Sequence, residues 1–206
     1  MIYNMKDIDN RPIVIFTNYR TGSTALCEAI SYKLGYKNFA EAFHTVPSTG
    51  NLKGITAYIE GKHQNYVFKV MPNQYTKHRE QIDDISHGCY CIRLQREDVA
   101  SQIASLYIAR ASKQWHQTKY NPCSTQPIEI DPIMMKKCCT ETLIMNDYVR
   151  KMENFDLELT TEQLGAIKNP TYEVRDKPEN YDEILELARD MIAHPEKLGV
   201  TSSQLR

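Results

Sequence analysis

Arg20, Thr21, Gly22, Ser23 and Thr24 follow the apolar run Ile13-Val14-Ile15-Phe16 and precede Ala25-Leu26-Cys27-Glu28-Ala29-Ile30. A guanidinium, hydroxyls and a glycine in that setting suit one chemistry, the binding of a phosphate or sulfate. The apolar run has the β-branched content of a strand buried on both faces, and the run after the loop reads as a helix. The first N–H groups of such a helix have no partner inside it and lie at the positive end of its dipole. They therefore stabilise an anion together with Arg20 and the hydroxyls. Gly22 permits the tight turn into the helix, and Ser23 and Thr24 are expected to cap it. A nucleoside-triphosphatase loop is excluded, because it needs a second glycine and a Gly-Lys pair ahead of the Ser or Thr.

Other residues can act on a bound anion. Lys69 lies between Phe68 and Val70, where a lysine needs an anionic partner unless its stem carries the charge to an edge. Reaching the anion, it would stabilise charge as a bond breaks. The imidazole of His44 can also serve as a base. Glu41 lies between Phe39 and Phe43, apolar neighbours that make a carboxylate a better proton acceptor. Further on, Val99, Ile103 and Leu106 keep helical spacing directly after the apolar run Cys89–Leu94, so Arg96 stands where a strand hands over to a helix.

Tyr19-Arg20-Thr21-Gly22-Ser23-Thr24-Ala25-Leu26 resembles the 5′-phosphosulfate loop of sulfotransferases that use 3′-phosphoadenosine 5′-phosphosulfate (PAPS). The likeness is especially to bacterial trehalose-type and phage-encoded members, which carry Arg-Thr-Gly-Ser-Thr or Arg-Ser-Gly-Ser-Thr. The later stretch is similar to their 3′-phosphate motif, Leu-x-Arg-Arg-Asp-x-x-x-Gln-Ala-x-Ser-Leu-Tyr. Leu94, Arg96, Asp98, Gln102, Ser105, Leu106 and Tyr107 match it, and Glu97 replaces the second arginine. The resemblance implies that Arg96 and Ser105 hold the 3′-phosphate, with Arg93 and Ser101 as the alternative in a shifted register. Phe39–His44 resembles the Gly-Glu-Pro/Phe-Phe segment whose glutamate is the general base, with Ala40 in place of the glycine. That implies Glu41 as base, and His44 is the alternative. Trp115 falls where related enzymes show Gln-Trp or Thr-Trp, and is read as a wall of the adenine or acceptor site or as a core residue.

These residues must be positioned by a chain of 206 residues that is 41% hydrophobic, enough for one substantial core, and a single domain over residues 1–206 is expected. A net charge of −1 gives no general nucleic-acid surface. No apolar run is long enough to span a membrane and residues 1–7 carry no signal-peptide core, so the expected location is the cytoplasm. Cys27, Cys89, Cys91, Cys123, Cys138 and Cys139 form no Cys-x-x-Cys pair and are read as reduced thiols, with Cys89 and Cys91 on one strand face.

The expected elements alternate. After the first strand, a helix runs to Leu34 with Gly35 as its stop. A short strand follows at 36–40, a surface loop at 45–54, a helix at 55–61 and a strand at 66–71. A polar helix covers 74–86, a strand 89–94 and a helix begins at 99. A Pro/Ser/Thr loop spans 120–127, a long helix 132–154, and 181–193 is amphipathic. Residues 155–164 resemble the family's late strand and turn. The alternation points to an α/β fold with a largely parallel sheet, and the resemblance implies a P-loop-like three-layer arrangement.

The reading is direct sulfuryl transfer from PAPS to a hydroxyl acceptor, a small molecule or a glycan, leaving 3′,5′-ADP and using no metal. Residues 45–61 and 113–126 are expected to line the acceptor site. The family's C-terminal tail is shortened here, which implies an open acceptor side or a second subunit. The alternatives are a nucleotide or small-molecule kinase with a degenerate loop, and a module that binds PAPS or 3′,5′-ADP without turnover.

Overall fold

The computed structural model describes residues 11–44, 52–115, 124–164 and 177–199. These fall into two compact units, the first made of 11–95 and 148–164, the second of described residues within 96–147 and 177–199.

The first unit holds β1 (Ile13–Thr17), β2 (Lys37–Asn38), β3 (Tyr66–Val70), β4 (Tyr90–Gln95) and β5 (Leu157–Thr160) in one five-stranded sheet of order β2-β3-β1-β4-β5. Every pairing is parallel. β1 is central and buried throughout, which is why its sequence is uniformly apolar rather than alternating. The two faces have separate cores. On one, Ile13, Ile15, Val67, Ile92 and Leu94 pack with Leu26, Cys27 and Ile30 of α1 (Ser23–Leu34). On the other, Val14, Phe16, Phe68 and Val70 pack with Ile55 of α2 (Leu52–Glu60) and Ile82 of α3 (Pro72–Ser86). Helices on both faces make this a three-layer α/β fold.

The second unit contains α4 (Val99–Ala111), α5 (Pro132–Lys151) as far as residue 147, and α7 (Tyr181–Ala193) with a closing 3₁₀ turn at Pro195–Leu198. The short α6 (Thr161–Leu164) belongs to the first unit. Asp131 Oδ1 caps α5 by accepting from the N–H groups of Ile133 and Met134 at 2.8 and 3.2 Å. Ile184, Ala188 and Met191 supply the buried stripe of α7, which packs on α4.

Several boundaries differ from expectation. The strand expected over 36–40 is only Lys37–Asn38, because the Asn38 side chain accepts from Ala40 N–H at 2.8 Å and Ala40 takes a left-handed φ of 48°, which turns the chain away. α2 starts at Leu52 and α3 at Pro72, since proline at a first helical position loses no hydrogen bond. α5 ends at Lys151 rather than 154, where Asn154 has φ 65°. Cys27, Cys89, Cys91, Cys138 and Cys139 are free thiols. Cys123, the loop residues 45–51 and 116–123, and the N-terminal segment 1–10 lie outside the described residues. Among the described residues no helix is long and apolar enough to cross a membrane.

Candidate functional site

The turn between β1 and α1 is braced from within. Thr17 and Thr21 share a hydroxyl–hydroxyl hydrogen bond of 2.6 Å, and the Thr21 hydroxyl also lies 3.0 Å from the Asn18 carbonyl. Tyr19 N–H donates to Asn18 Oδ1 at 2.6 Å. From outside the turn, the Thr161 hydroxyl donates to the Thr21 carbonyl at 2.7 Å. Thr21 is fully buried, so its side chain holds the loop's shape and its backbone is what it can offer a ligand.

Arg20 and Gly22 have φ of 60° and 79°. Left-handed residues at this spacing belong to the kind of turn that directs successive N–H groups toward an anion. At Gly22 the constraint is conformational: a Cβ there would meet Leu164 Cδ1 only at 3.8 Å. Capping by Ser23 and Thr24 is not what the structure shows. Gly22 is the N-cap, it makes no side-chain cap bond, and Ser23 and Thr24 are the first two helical residues. Their hydroxyls are thereby left to meet groups other than the helix's own amides.

Thr24 meets Lys69. The alternation of β3 turns Lys69, like Val67, to the α1 face of the sheet. Its ammonium donates to Thr24 Oγ1 at 2.6 Å and pairs with Glu41 Oε1 at 3.1 Å. The side chain is 6% exposed, so the charge does not escape to an edge; it is delivered to the first turn of α1. A strand neighbouring the loop thus supplies the ammonium that a triphosphatase loop carries within itself.

Glu41 is held by more than Lys69. Gln74 Nε2 donates to its Oε2 at 3.3 Å, and His44 Nε2 stands 4.0 Å from the same oxygen. The oxygens of the carboxylate thus meet Lys69 and Gln74, whereas the Phe39 and Phe43 rings are buried in the core with Phe68 and Val70. Ala40, at the position of the family glycine, is left-handed, and its carbonyl accepts from Lys69 N–H at 2.8 Å. Cys27 is near the pair but inert: burial pushes its thiol up to about 12, against the pull of Lys69.

The structure thus gathers Thr24, Lys69, Glu41 and His44 behind the loop that carries Arg20 to Ser23. Two contributors escaped the sequence reading. Gln74 is buried and Asn73, exposed, donates through Nδ2 to the Tyr19 hydroxyl at 3.3 Å. Their signal was Pro72, which marks a helix start and puts glutamine at its third position, where it can reach back to the cap.

Arg96, Ser105 and Trp115 belong to the second unit. Asp98 caps α4: its carboxylate accepts from Ser101 N–H at 2.9 Å and from the Ser101 hydroxyl at 2.5 Å. Burial on its own would raise the Asp98 carboxyl, but these bonds and the charges of Arg96 and Arg189 outweigh it and hold the group below its ordinary value. Ser101 is thus engaged as a cap partner. Arg93, the other half of the shifted alternative, donates to the carbonyls of Arg150 and Met152 at 3.0 and 3.1 Å and to the Glu158 carboxylate. Trp115 is 41% exposed, not a core residue.

No family model matches the sequence, and no curated protein matches it.

Proposed function

We propose that the protein transfers a sulfuryl group from PAPS to a hydroxyl of a small molecule or glycan. The observation that carries the reading is the Lys69 ammonium, set between Thr24 of the anion loop and the Glu41 carboxylate. In this reading the ammonium would stabilise the negative charge that develops and the carboxylate beside it would act as base, the two roles that sulfuryl transfer to a hydroxyl requires. Arg20, the amides of the Thr21–Thr24 turn and Lys69 would hold the phosphosulfate. Glu41 would take the acceptor proton. By resemblance, Arg96 and Ser105 would hold the 3′-phosphate. Free thiols suit a reducing compartment, and we place the reaction in the cytoplasm.

A thermal-shift comparison tests the assignment. 3′,5′-ADP should stabilise the protein well beyond 5′-AMP, through preferential binding to the folded state, and Arg96→Ala should erase the difference. Equal shifts from both nucleotides in the wild type would remove the 3′-phosphate site from the proposal.

A further inference from the structure

We infer that Gln74 is a positioning residue that sets the plane of the Glu41 carboxylate for proton transfer, an inference that rests on the sulfuryl-transfer reading above. Gln74 is 4% exposed in the first turn of α3. Its Oε1 is anchored, accepting from Met71 N–H at 3.0 Å, so its Nε2 is held in a fixed direction and donates to Glu41 Oε2 at 3.3 Å. The other carboxylate oxygen, Oε1, receives Lys69 at 3.1 Å. A carboxylate with one partner turns about its last carbon–carbon bond; with a separate donor on each oxygen its plane is fixed. His44, at 4.0 Å, is beyond hydrogen-bond distance and cannot substitute.

The division of partners assigns the two oxygens different tasks. Oε1 stays with the ammonium. Oε2 keeps a second lone pair beyond the one that Gln74 occupies, and this lone pair accepts the proton. In the step, the acceptor O–H bond breaks and its proton goes to Oε2, while the acceptor oxygen forms the new bond to sulfur. The bond from sulfur to the 5′-phosphate oxygen breaks, and its electron pair leaves on that phosphate. The adjacent residue extends the bracket: Asn73 Nδ2 donates to the Tyr19 hydroxyl at 3.3 Å, so one helical turn touches both the anion loop and the base.

Two variants separate positioning from helix capping. Gln74→Met keeps the length of the side chain but loses both hydrogen bonds. Gln74→Glu, assayed above neutrality, keeps an acceptor for Met71 N–H but replaces the donor to Glu41 with a like charge that repels its carboxylate. Transfer of label from labelled PAPS to a bacterial cell extract gives the first readout. Both variants should lower the rate at saturating PAPS by about ten-fold or more, with the half-saturating PAPS concentration little changed. Crystal structures of the wild type and both variants give the second, and should show the Glu41 carboxylate rotated with the Tyr19–Thr24 loop in place. Gln74→Glu at the wild-type rate would assign Gln74 to capping alone and overturn the inference. If the wild type labels nothing, the transfer reading fails, and the crystals still decide the positioning role: an unmoved Glu41 in both variants overturns it.

Discussion

Lys69 and Arg93 are cations in β3 and β4, the strands that flank β1 on either side, and they face opposite ways. The register places Lys69 beside Ile15 and Arg93 beside Phe16. One residue of offset is enough to change the face of a sheet. On the α1 face, Lys69 meets a loop hydroxyl and a carboxylate. On the other, Arg93 lies over the Phe155 ring at 5.1 Å and bonds the carbonyls that end α5, where a positive charge is favoured by the helix dipole. The guanidinium is surrounded by chain it holds in place; the ammonium is directed at a helix N-terminus, where an incoming anion would join its partners. The same kind of oddity in the sequence, a charge inside an apolar run, thus meets backbone carbonyls on one face and a loop hydroxyl and a carboxylate on the other.

The strongest way to break that contrast is to remove the ammonium. Lys69→Met should reduce label transfer by about 10³-fold, the scale of losing a preorganised donor to developing charge, with the protein still folded by circular dichroism. Glu41→Gln should cost about 10² in the same assay, yet tighten binding of 3′,5′-ADP in calorimetry, because the carboxylate is no longer there to repel the anion. Weaker binding on that substitution would make Glu41 part of the anion site rather than the base. Arg93→Met should behave in the opposite manner. Denaturant unfolding should show a loss of about 2 kcal/mol from carbonyls left without a donor, while transfer per folded molecule is retained. Loss of transfer with full stability would restore the Arg93 and Ser101 alternative.

Buried thiols on the two faces sharpen the comparison with pH. Burial pushes Cys27, on the Lys69 side, from 9.0 up to about 12, and Cys89, on the Arg93 side, up to about 12 as well. A raised folded-state value means that the stabilising contribution is complete below pH 9 and is lost as pH rises toward 12. Unfolding free energy should therefore fall by about 1 kcal/mol per pH unit for each such thiol over that window, and Cys27→Ala should flatten its share of the slope. The smallest effect is expected at Ala40. Its left-handed φ of 48° is strained for a residue with a Cβ, so Ala40→Gly should stabilise the fold by about 1 kcal/mol, read as a raised Tm.

What the sequence determined by itself was local. The alternation of apolar runs and helical spacing was enough for the α/β class, because burial period is a property of the nearest neighbours along the chain. Gly22 and Gly35 marked the start and stop of α1, and both are left-handed in the structure. α4 was legible as a helix from the spacing of Val99, Ile103 and Leu106, whereas the division into two units was not, since a single domain was expected. Tertiary structure decided the partners. Lys69 could have reached an anion or an edge, and only the packing of α1 on its face brings Thr24, 45 positions away, within 2.6 Å. Glu41 looked like a carboxylate among phenylalanines until the fold buried those rings in a core and gave its oxygens Lys69 and Gln74. Arg96 was the preferred arginine in the sequence and Arg93 the alternative; that Arg93 meets carbonyls 57 and 59 positions away is something no window of sequence shows. Hydrogen bonds of this range depend on which faces meet, and that is set by the whole sheet and its helices rather than by any window of sequence.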